Sequence, residues 1–417
     1  MASALVTALT VNDGGPRVAV VQIDVGGLDE LSEVLGERGT REVLRAIAVR
    51  IVRSIPNSAG LFRVAHARFV LLLHNVRDTR EAMTIAADIG ARFSLPIKFG
   101  SREYVMRVAI GVAASGQDGT VEFPEDVMRN AELATAEARG GASGRVAAFQ
   151  ERMLRDAARR EQLGKDLDSA VARGELVLHY QPIVDLHQQR IVGAEALARW
   201  QHPLHGLIPP DEFIPIAERT GQIAGIGRWV LGEAVTQVAK WGWGSDAPTP
   251  RSISVNVSGQ QLTNPGFVDF IASLLTRSAL VPFTLVLEIT ETVLMEDGTR
   301  VLEHLHALRD LGVRIALDDF GTGYSSMSRL ATFPVDVLKI DGSFVTQSAR
   351  GDRTARALMR SMASLCSELE IIAVAERIES EPELEVATET GCRFGQGFLL
   401  GRPLPAGQFA QAHAFRA

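Results

Sequence analysis

Cysteine is almost absent from this 417-residue chain, which contains only Cys366 and Cys392. The two cysteines form no CxxC pair, so the sequence excludes a disulfide framework and a cysteine-rich zinc site. Such sparse cysteine is typical of a reducing compartment, and we expect a cytoplasmic protein.

Long hydrophobic runs are also missing, although 46% of the residues are hydrophobic. No run reaches the roughly 18 residues that a membrane-spanning helix needs. The first residues show neither the basic flank nor the apolar core of a signal peptide. We therefore expect no membrane span in this chain.

An excess of positive charge is lacking as well, because the formal net charge is -7. Non-specific nucleic-acid binding depends on lysines and arginines that neutralise several phosphates, so a nucleic-acid polymer is not an expected partner. The net charge does not exclude a small anionic ligand. The length suits two domains better than one.

Two adjacent carboxylates, Asp318 and Asp319, end an apolar run and are followed by Gly321 and Gly323. The pattern predicts a strand that ends in acid and turns through a flexible loop. An isolated Asp-Asp pair would more often cap the next helix. The choice between the two readings depends on the other strands of this half.

Four further predicted strands in the C-terminal half also end in polar residues. They cover 191–195, 252–256, 285–288 and 335–339, and helical patterns follow most of them. Alternation of this kind predicts an α/β fold with a parallel sheet, and in an eight-stranded barrel the strand ends meet at one face. Carboxylates that converge there need a cation.

The N-terminal half follows a different order. The patterns predict a strand at 17–24, a helix, a hairpin over 61–73, a helix at 78–93, strands at 96–100 and 103–113, and a helix at 124–139. This order is typical of an α+β domain with a mostly antiparallel sheet.

Residues 17–149 resemble a diguanylate cyclase (GGDEF) domain. The resemblance rests on this element order, on Ile110-Gly111-Val112-Ala113 and on Ala131-Glu132-Leu133-Ala134. Such domains condense two GTP molecules on metal ions, and their signature turn supplies two acids. Here the turn reads Ala65-His66-Ala67-Arg68-Phe69. The signature is absent.

Asp24 matches the family's first metal-binding aspartate, but Ser32 and Arg41 stand where the family contacts nucleotide. Arg68 brings a positive charge to a place meant for magnesium, which prefers oxygen ligands. We expect no cyclase activity and a regulatory role, with GTP as a candidate ligand. Residues 150–173 predict a helical linker, which is either passive or transmits a signal.

Residues 174–415 are assigned to a second domain, and from about residue 165 the chain is similar to an EAL domain. The matching motifs are Tyr180-Gln181-Pro182-Ile183, Glu195-Ala196-Leu197-Ala198-Arg199-Trp200, Ile208-Pro209-Pro210, Ser254-Val255-Asn256-Val257-Ser258, Glu288-Ile289-Thr290-Glu291, 318–326, Leu338-Lys339-Ile340-Asp341 and Gln396-Gly397-Phe398. The resemblance implies a TIM-like (β/α) barrel that hydrolyses cyclic di-GMP to linear pGpG.

A phosphodiester is an anion that resists hydroxide, so its hydrolysis favours two Mg²⁺ or Mn²⁺ ions about 4 Å apart. The resemblance implies the roles of individual residues. The metal ligands would be Glu195, Asn256, Glu288, Asp318, Asp319 and Glu376. The catalytic residues would be Glu195, Asp319, Lys339 and Glu376, with Lys339 orienting the attacking water or holding the phosphate. The substrate contacts would be Gln181, Leu197, Arg199, Asp319, Lys339 and Gln396. Glu291 would stabilise the loop after Asp319.

Arg377 departs from the family, which usually has glycine after the glutamate at 376. We expect the strand to continue through Arg377 and to turn its side chain toward the helical layer, with Glu379 as a candidate partner. In the alternative, Arg377 lies in a loop near the metals. Two rival functions are a cyclic di-GMP receptor without hydrolysis and a scaffold. We expect a homodimer.

Overall fold

The computed structural model describes residues 17–56, 59–65, 67–99, 102–115, 123–140, 146–243, 251–278, 280–291, 293–296, 298–321 and 333–413. The chain forms two compact units that divide between Glu161 and Gln162. This point lies inside the predicted linker. None of the described helices has the length and apolar character that a bilayer crossing requires.

The N-terminal unit is an α+β domain, as predicted. Its elements are β1 (Arg17–Gly26), α1 (Leu28–Val52), β2 (Gly60–Ala65), β3 (Arg68–Val76), α2 (Thr79–Phe93), β4 (Ile97–Phe99), β5 (Arg102–Tyr104), β6 (Arg107–Ala114), α3 (Pro124–Gly140), β7 (Val146–Ala148) and the start of α4 (Glu151–Leu167). The main sheet has the order β2-β3-β1-β6-β7 and is antiparallel except for the pair β6–β7.

Central strand β1 is apolar on both faces, because helices cover both sides of the sheet. Val21 and Ile23 pack with residues of α1 and α2, whereas Val18 and Val20 pack with residues of α3. The predicted strand at 103–113 is in fact two, because β5 forms a separate pair with β4 and β6 starts at Arg107.

The C-terminal unit is an eight-stranded barrel with helices outside. Its elements after α4 are β8 (Leu176–Asp185), β9 (Arg190–His202), β10 (Gly206–Ile208), α5 (Pro210–Thr220), α6 (Ile223–Lys240), β11 (Ser252–Asn256), α7 (Gly259–Leu262), α8 (Phe267–Ser278), a 3₁₀ turn (Pro282–Thr284), β12 (Leu285–Thr290), α9 (Val293–Glu296), α10 (Gly298–Asp310), β13 (Arg314–Phe320), β14 (Val337–Ile340), α11 (Gly342–Ala349), α12 (Arg353–Glu368), β15 (Ile372–Ala375), α13 (Glu381–Glu389), β16 (Phe394–Gly395), β17 (Leu404–Pro405) and α14 (Ala406–Ala412).

The barrel closes in the order β9-β11-β12-β13-β14-β15-β16-β8, with β8 pairing back to β9. Every neighbouring pair is parallel except those of β8, which is antiparallel to both β9 and β16. A short turn joins β8 to β9, and a parallel pair would need a crossover of a dozen or more residues. The predicted TIM-like barrel is confirmed, with one reversed strand.

Side chains that point into the barrel form layers, as in other barrels of this class. Val286, Ala316, Val337 and Val374 belong to one apolar layer together with Ile183. Two residues further along the same four parallel strands stand Glu288, Asp318, Lys339 and Glu376. Because alternate side chains share a face, these polar groups lie directly above the apolar layer.

Two predicted strand ends differ from the structure. Glu195 does not end its strand, since β9 continues to His202, where β10 pairs with it. Strand β15 ends at Ala375, so Glu376 comes just after the strand. Helix α4 contributes Leu163 and Leu167 to the barrel core, so the second half of the predicted linker belongs to the barrel unit.

Candidate active site

Lys339 lies at the centre of a ring of four carboxylates at the C-terminal end of the parallel strands. Strands β9, β12 and β13 and the residue after β15 each supply one. The Lys339 Nζ is 2.8 Å from Glu288 Oε2, 2.8 Å from Glu376 Oε1, 3.3 Å from Asp318 Oδ1 and 3.5 Å from Glu195 Oε2. Lys339, Glu195 and Glu288 are buried. One ammonium therefore holds together acids from three strands and from the residue that follows a fourth.

The electrostatics of the ring follow from its burial. Burial, with the Glu195 carboxylate as the second cause, raises the pKa of Glu288 well above its ordinary value. Burial raises the pKa of Glu376 to about 7, although the Lys339 charge opposes the shift. Burial alone would lower the pKa of Lys339, but the four carboxylates raise it well above its ordinary value. The ring carries more acid than its single lysine can neutralise.

Amide groups fix the position of Glu195. Asn256 Nδ2 donates to Glu195 Oε1 at 2.7 Å, and Gln396 Nε2 donates to Glu195 Oε2 at 2.7 Å. Gln396 Nε2 also lies 3.0 Å from Gln181 Oε1. Burial opposes ionisation, yet the Lys339 charge and these two amide donors hold the pKa of Glu195 below its ordinary value. Glu195 is thus kept as a carboxylate with a fixed orientation.

Asp319 reaches the same site as Asp318 because its backbone leaves the regular strand. Neighbouring residues of a strand point to opposite faces, but Asp319 has φ 53° and the β13–β14 register shifts between Leu317 and Phe320. Aspartate tolerates this left-handed conformation better than most residues. One carboxylate oxygen each of Asp318, Asp319 and Glu376 lies within 4.8 Å of the others.

These carboxylates suit a hard divalent cation, which takes oxygen ligands. Burial, followed by the charges of Asp318 and Asp341, raises the pKa of Asp319. A cation there would relieve this mutual repulsion of the acids. On both counts, donor type and charge, the residues fit Mg²⁺ or Mn²⁺.

A cavity of about 440 Å³ adjoins the ring between β9, α5, α6 and α7, and Leu197 and Asn256 line it. Half-buried Arg199 follows on β9; its Nη1 donates to Ala198 O at 2.8 Å. Burial lowers the pKa of Arg199, although the Glu195 charge opposes the shift. Of the predicted substrate contacts, Gln181, Lys339 and Gln396 therefore meet at the ring, and Leu197 lines the space beside it.

The loop that Glu291 was predicted to stabilise starts after Gly321, and its residues Thr322, Gly323 and Tyr324 lie outside the described ranges. Glu291 itself is buried next to the end of β12. Its predicted role stays a prediction.

Arg377 lies in the loop after β15, so the expected placement within the strand is wrong. Its backbone has φ 55°, its side chain is 67% exposed, and its Nη2 is 3.8 Å from Asp341 Oδ2. The partner is Asp341 rather than Glu379. A Cβ placed on Gly342 would lie 2.4 Å from the Arg377 Cβ, so this loop packs closely on the start of α11.

Asp341 is a residue of the site for which the motifs predicted no role. It is buried, caps α11 by accepting from Ser343 N at 3.0 Å, and raises the pKa of Asp319. An aspartate between a predicted strand and a predicted helix is a typical cap signal, and it could have been found.

In the N-terminal unit, two arginines pair with Asp24, the residue that matches a metal ligand of the cyclase family. Arg68 is the direct cross-strand partner of Asp24. Its Nε lies 3.7 Å from Asp24 Oδ1 and its Nη1 lies 3.0 Å from Glu132 Oε1. Arg139 forms a second ion pair with Asp24. Protein cations thus neutralise the one carboxylate that matches a cyclase metal ligand.

The chain belongs to the EAL domain family, whose model matches residues 165–403. The model of the diguanylate cyclase, GGDEF domain matches residues 3–145. The two domains therefore stand in tandem, as the motifs predicted.

Known proteins with the same tandem are similar over most of this chain. The bifunctional diguanylate cyclase/cyclic di-GMP phosphodiesterase MucR of Pseudomonas aeruginosa is 38% identical over 392 residues, which is 94% of this chain and 56% of MucR. The cyclic di-GMP phosphodiesterase PdeR of Escherichia coli is 32% identical over 94% of this chain and 58% of PdeR. This chain thus spans less than two thirds of either relative.

A solved structure, the PaMucR phosphodiesterase in complex with c-di-GMP, is 44% identical with a TM-score of 0.56. It covers 60% of this chain, and this chain covers 99% of it.

Proposed function

We propose that the barrel is a metal-dependent phosphodiesterase that hydrolyses cyclic di-GMP to linear pGpG. The observation that carries the proposal is the ring of Glu195, Glu288, Asp318 and Glu376 around Lys339. It lies at the end of the strands where barrels of this class hold their active sites. The substrate is supported by the similarity to MucR and PdeR, which are named as cyclic di-GMP phosphodiesterases.

Two divalent cations are part of this proposal. Glu195, Asn256, Glu288, Asp318, Asp319 and Glu376 would hold them. When bound, Mg²⁺ or Mn²⁺ neutralises the phosphate oxygens and makes water a stronger nucleophile at neutral pH.

The chain's own residues bind and orient the substrate. The Arg199 guanidinium offers a planar fork of donors that matches a phosphate. Lys339 contributes an ammonium that orients the attacking water or holds a phosphate oxygen. Gln181 and Gln396 keep Glu195 in place through their hydrogen bonds. The cavity beside Leu197 offers room for part of the dinucleotide.

For the N-terminal domain we propose a regulatory role without synthesis of cyclic di-GMP, because Arg68 and Arg139 neutralise Asp24. GTP is a candidate ligand of that domain, and a homodimer is the proposed assembly. The free, buried Cys366 and Cys392 fit the reducing conditions of the cytoplasm, where we place the reaction.

The proposal is tested by incubating the chain with cyclic di-GMP and Mg²⁺, with a matched EDTA sample, and following pGpG by chromatography. We expect pGpG only when metal is present. Saturable binding of cyclic di-GMP without any product, with Mg²⁺ or Mn²⁺, would instead make the chain a receptor.

A further inference from the structure

The cavity of about 440 Å³ beside Leu197 has a buried amide donor in its wall. Gln261 of α7 lines this cavity, and only 4% of the residue is exposed. Among the residues that the structure describes, none accepts a hydrogen bond from Gln261 Nε2. A buried donor without an acceptor costs about 1–3 kcal/mol, so such a group in a cavity wall is a candidate contact for a ligand.

The orientation of the Gln261 amide is fixed by Ser258. The backbone N–H of Ser258 donates to Gln261 Oε1 at 3.3 Å, and Ser258 Oγ donates to the same oxygen at 3.2 Å. A backbone N–H can only donate, so the atom that it meets must be the amide oxygen and not the nitrogen. The two bonds use both lone pairs of Oε1, and only the Nε2 donor is left for a ligand.

Gly227 of α6 makes room for this donor. A Cβ placed on Gly227 would overlap Gln261 Nε2, and Gly227 lines the same cavity. The Nε2 therefore lies between α7 and the part of α6 that forms the cavity wall.

The cavity adjoins the acid ring through Asn256. Asn256 lines the cavity and donates through Nδ2 to Glu195 Oε1 at 2.7 Å. Cavities of about 300–1,000 Å³ hold drug-sized ligands, so there is room for a purine base. A dinucleotide with a phosphate at the ring can therefore place one of its bases in the cavity.

The rest of the lining suits a purine with donors on its edge. Ile226 and Val230 supply apolar surface, and the lining also includes the acidic residues Asp211 and Glu218 of α5. Gln260 Nε2 donates to Glu218 O at 3.1 Å, so the end of α5 lies beside α7. Acceptors for the N1–H and N2–H groups of guanine are thus available in the same wall.

The Gln261 donor distinguishes the two purines. Guanine presents acceptors at O6 and N7, whereas adenine has an amino donor at N6 in place of O6. A glutamine with both amide groups free pairs with adenine through N6 and N7. Gln261 cannot form this pair because its Oε1 is occupied, and its Nε2 would meet the adenine amino group donor to donor.

We propose that Gln261 determines the base specificity of the barrel: its Nε2 donates to O6 of a guanine of the bound dinucleotide and disfavours adenine at this place. The inference rests on the proposed phosphodiesterase function, because the cyclic dinucleotide brings the purine to the cavity. Gln261 is then a specificity-determining residue that takes no part in the bond cleavage at the ring.

Calorimetric titrations of the full chain in EDTA, which prevents turnover, test the base preference. We expect cyclic di-GMP and cyclic di-IMP, whose bases both carry O6, to bind at least about tenfold more tightly than cyclic di-AMP. Equal binding of cyclic di-GMP and cyclic di-AMP, or no saturable binding of cyclic di-GMP, would overturn the inference. Loss of the preference with cyclic di-IMP would assign the discrimination to the guanine N2 amino group and would also overturn it.

Gln261→Glu tests the residue itself. Glutamate keeps an acceptor for the Ser258 N–H, as in a capping box, but replaces the Nε2 donor with an oxygen. The added negative charge weakens every anionic ligand alike, so the measurement is the ratio of the two dissociation constants, for cyclic di-GMP and cyclic di-AMP. We expect the preference for cyclic di-GMP to fall about tenfold or more. Because the ratio is taken within one variant, a change in the folded fraction cancels.

Gln347→Glu adds the same charge at an exposed position of α11 and is the matched control. It should keep the preference of the full chain. An equal preference in Gln261→Glu and Gln347→Glu would overturn the role of Gln261. Absence of pGpG in the metal-dependent assay, with the base preference intact, would refute the proposed hydrolysis and leave this role standing.

Discussion

The two units contain related arrangements of acid and cation that differ in charge balance. In the N-terminal unit Arg68 and Arg139 face the single carboxylate of Asp24, and Glu132 pairs with Arg68. In the barrel four carboxylates face the single ammonium of Lys339. Where the protein supplies enough positive charge of its own, a metal ion gains little by binding. Where acid is in excess, a metal ion completes the site.

The two arrangements also differ in burial. The Lys339 side chain is 3% exposed, whereas those of Arg68 and Arg139 are 33% and 51% exposed. A buried charge that loses its partners is costly, whereas exposed ion pairs contribute little. The same type of substitution should therefore have unequal effects in the two units.

The largest effect is expected from Glu195→Ala. Glu195 is a proposed metal ligand and an ion-pair partner of Lys339, so its loss should slow hydrolysis by more than the roughly 100-fold that loss of an outer-shell partner costs. The measurement is the initial rate of pGpG formation with Mg²⁺. Arg360→Gln, a change of an exposed residue of α12, is the control. Undiminished pGpG production by Glu195→Ala would remove Glu195 from the proposed site.

The second effect concerns stability and compares Lys339→Met with Arg139→Met. Lys339→Met leaves four acids, of which Glu195 and Glu288 are buried, without their cation and should destabilise the metal-free barrel by about 3–5 kcal/mol. Arg139→Met removes an exposed ion pair and should cost at most about 1 kcal/mol.

All four tryptophans lie in the barrel unit, so their fluorescence reports barrel unfolding in urea, and circular dichroism reports the whole chain. Mg²⁺ should recover part of the loss in Lys339→Met, because a ligand that binds only the folded state stabilises it. Equal losses in the two variants would contradict the difference drawn between the units.

A smaller effect is expected at Arg377. The pKa of Asp319 is raised overall, and the positive charge of Arg377 partly opposes that rise. Arg377 should therefore compete with a cation at Asp319. Because exposed charge pairs are worth about 0.2–1 kcal/mol, Arg377→Gly should lower the Mg²⁺ concentration for half-maximal rate by at most about fivefold.

Arg377→Gln separates the two causes, since it removes the charge but keeps a side chain at φ 55°. If only the glycine variant shifts the Mg²⁺ titration, backbone strain rather than charge is responsible. A rightward shift in both variants would show that Arg377 supports the site instead of opposing it.

The sequence predicted which strands would bring their acids together, because the alternation of side chains and the parallel order of strands are local rules. It did not predict that Lys339 would pair with all four acids, since that pairing depends on the closure of the barrel. Nor did it predict the reversed direction of β8, which follows from the short turn before Arg190.

The backbone leaves the regular strand at two residues of the site, Asp319 and Arg377. An ordinary strand would separate Asp318 and Asp319, and only the left-handed Asp319 brings both carboxylates to one site. Arg377 also has a positive φ, and the glycine that the family has there was a signal of such a backbone. The sequence prediction gave more weight to the alternation of the strand and therefore placed Arg377 wrongly.

The last prediction is that GTP gives no reaction product at all. With Arg68 opposite Asp24 and Arg139 paired to the same carboxylate, a magnesium ion would meet two guanidinium groups at the place where the cyclase family binds it. Hard cations bind oxygen ligands, and Ala67 offers no side-chain oxygen. We therefore expect no cyclic di-GMP from GTP and Mg²⁺, measured by chromatography in the Glu195→Ala background, where any product would survive. The double change Arg68→Glu and Arg139→Gln in that background replaces one cation with a carboxylate and the other with a neutral amide, and tighter Mg²⁺ binding by this variant alone would show that the arginines exclude the metal. Product formed by the chain with both arginines intact would mean that charge balance at Asp24 does not decide the activity, and the contrast between the two units would fail.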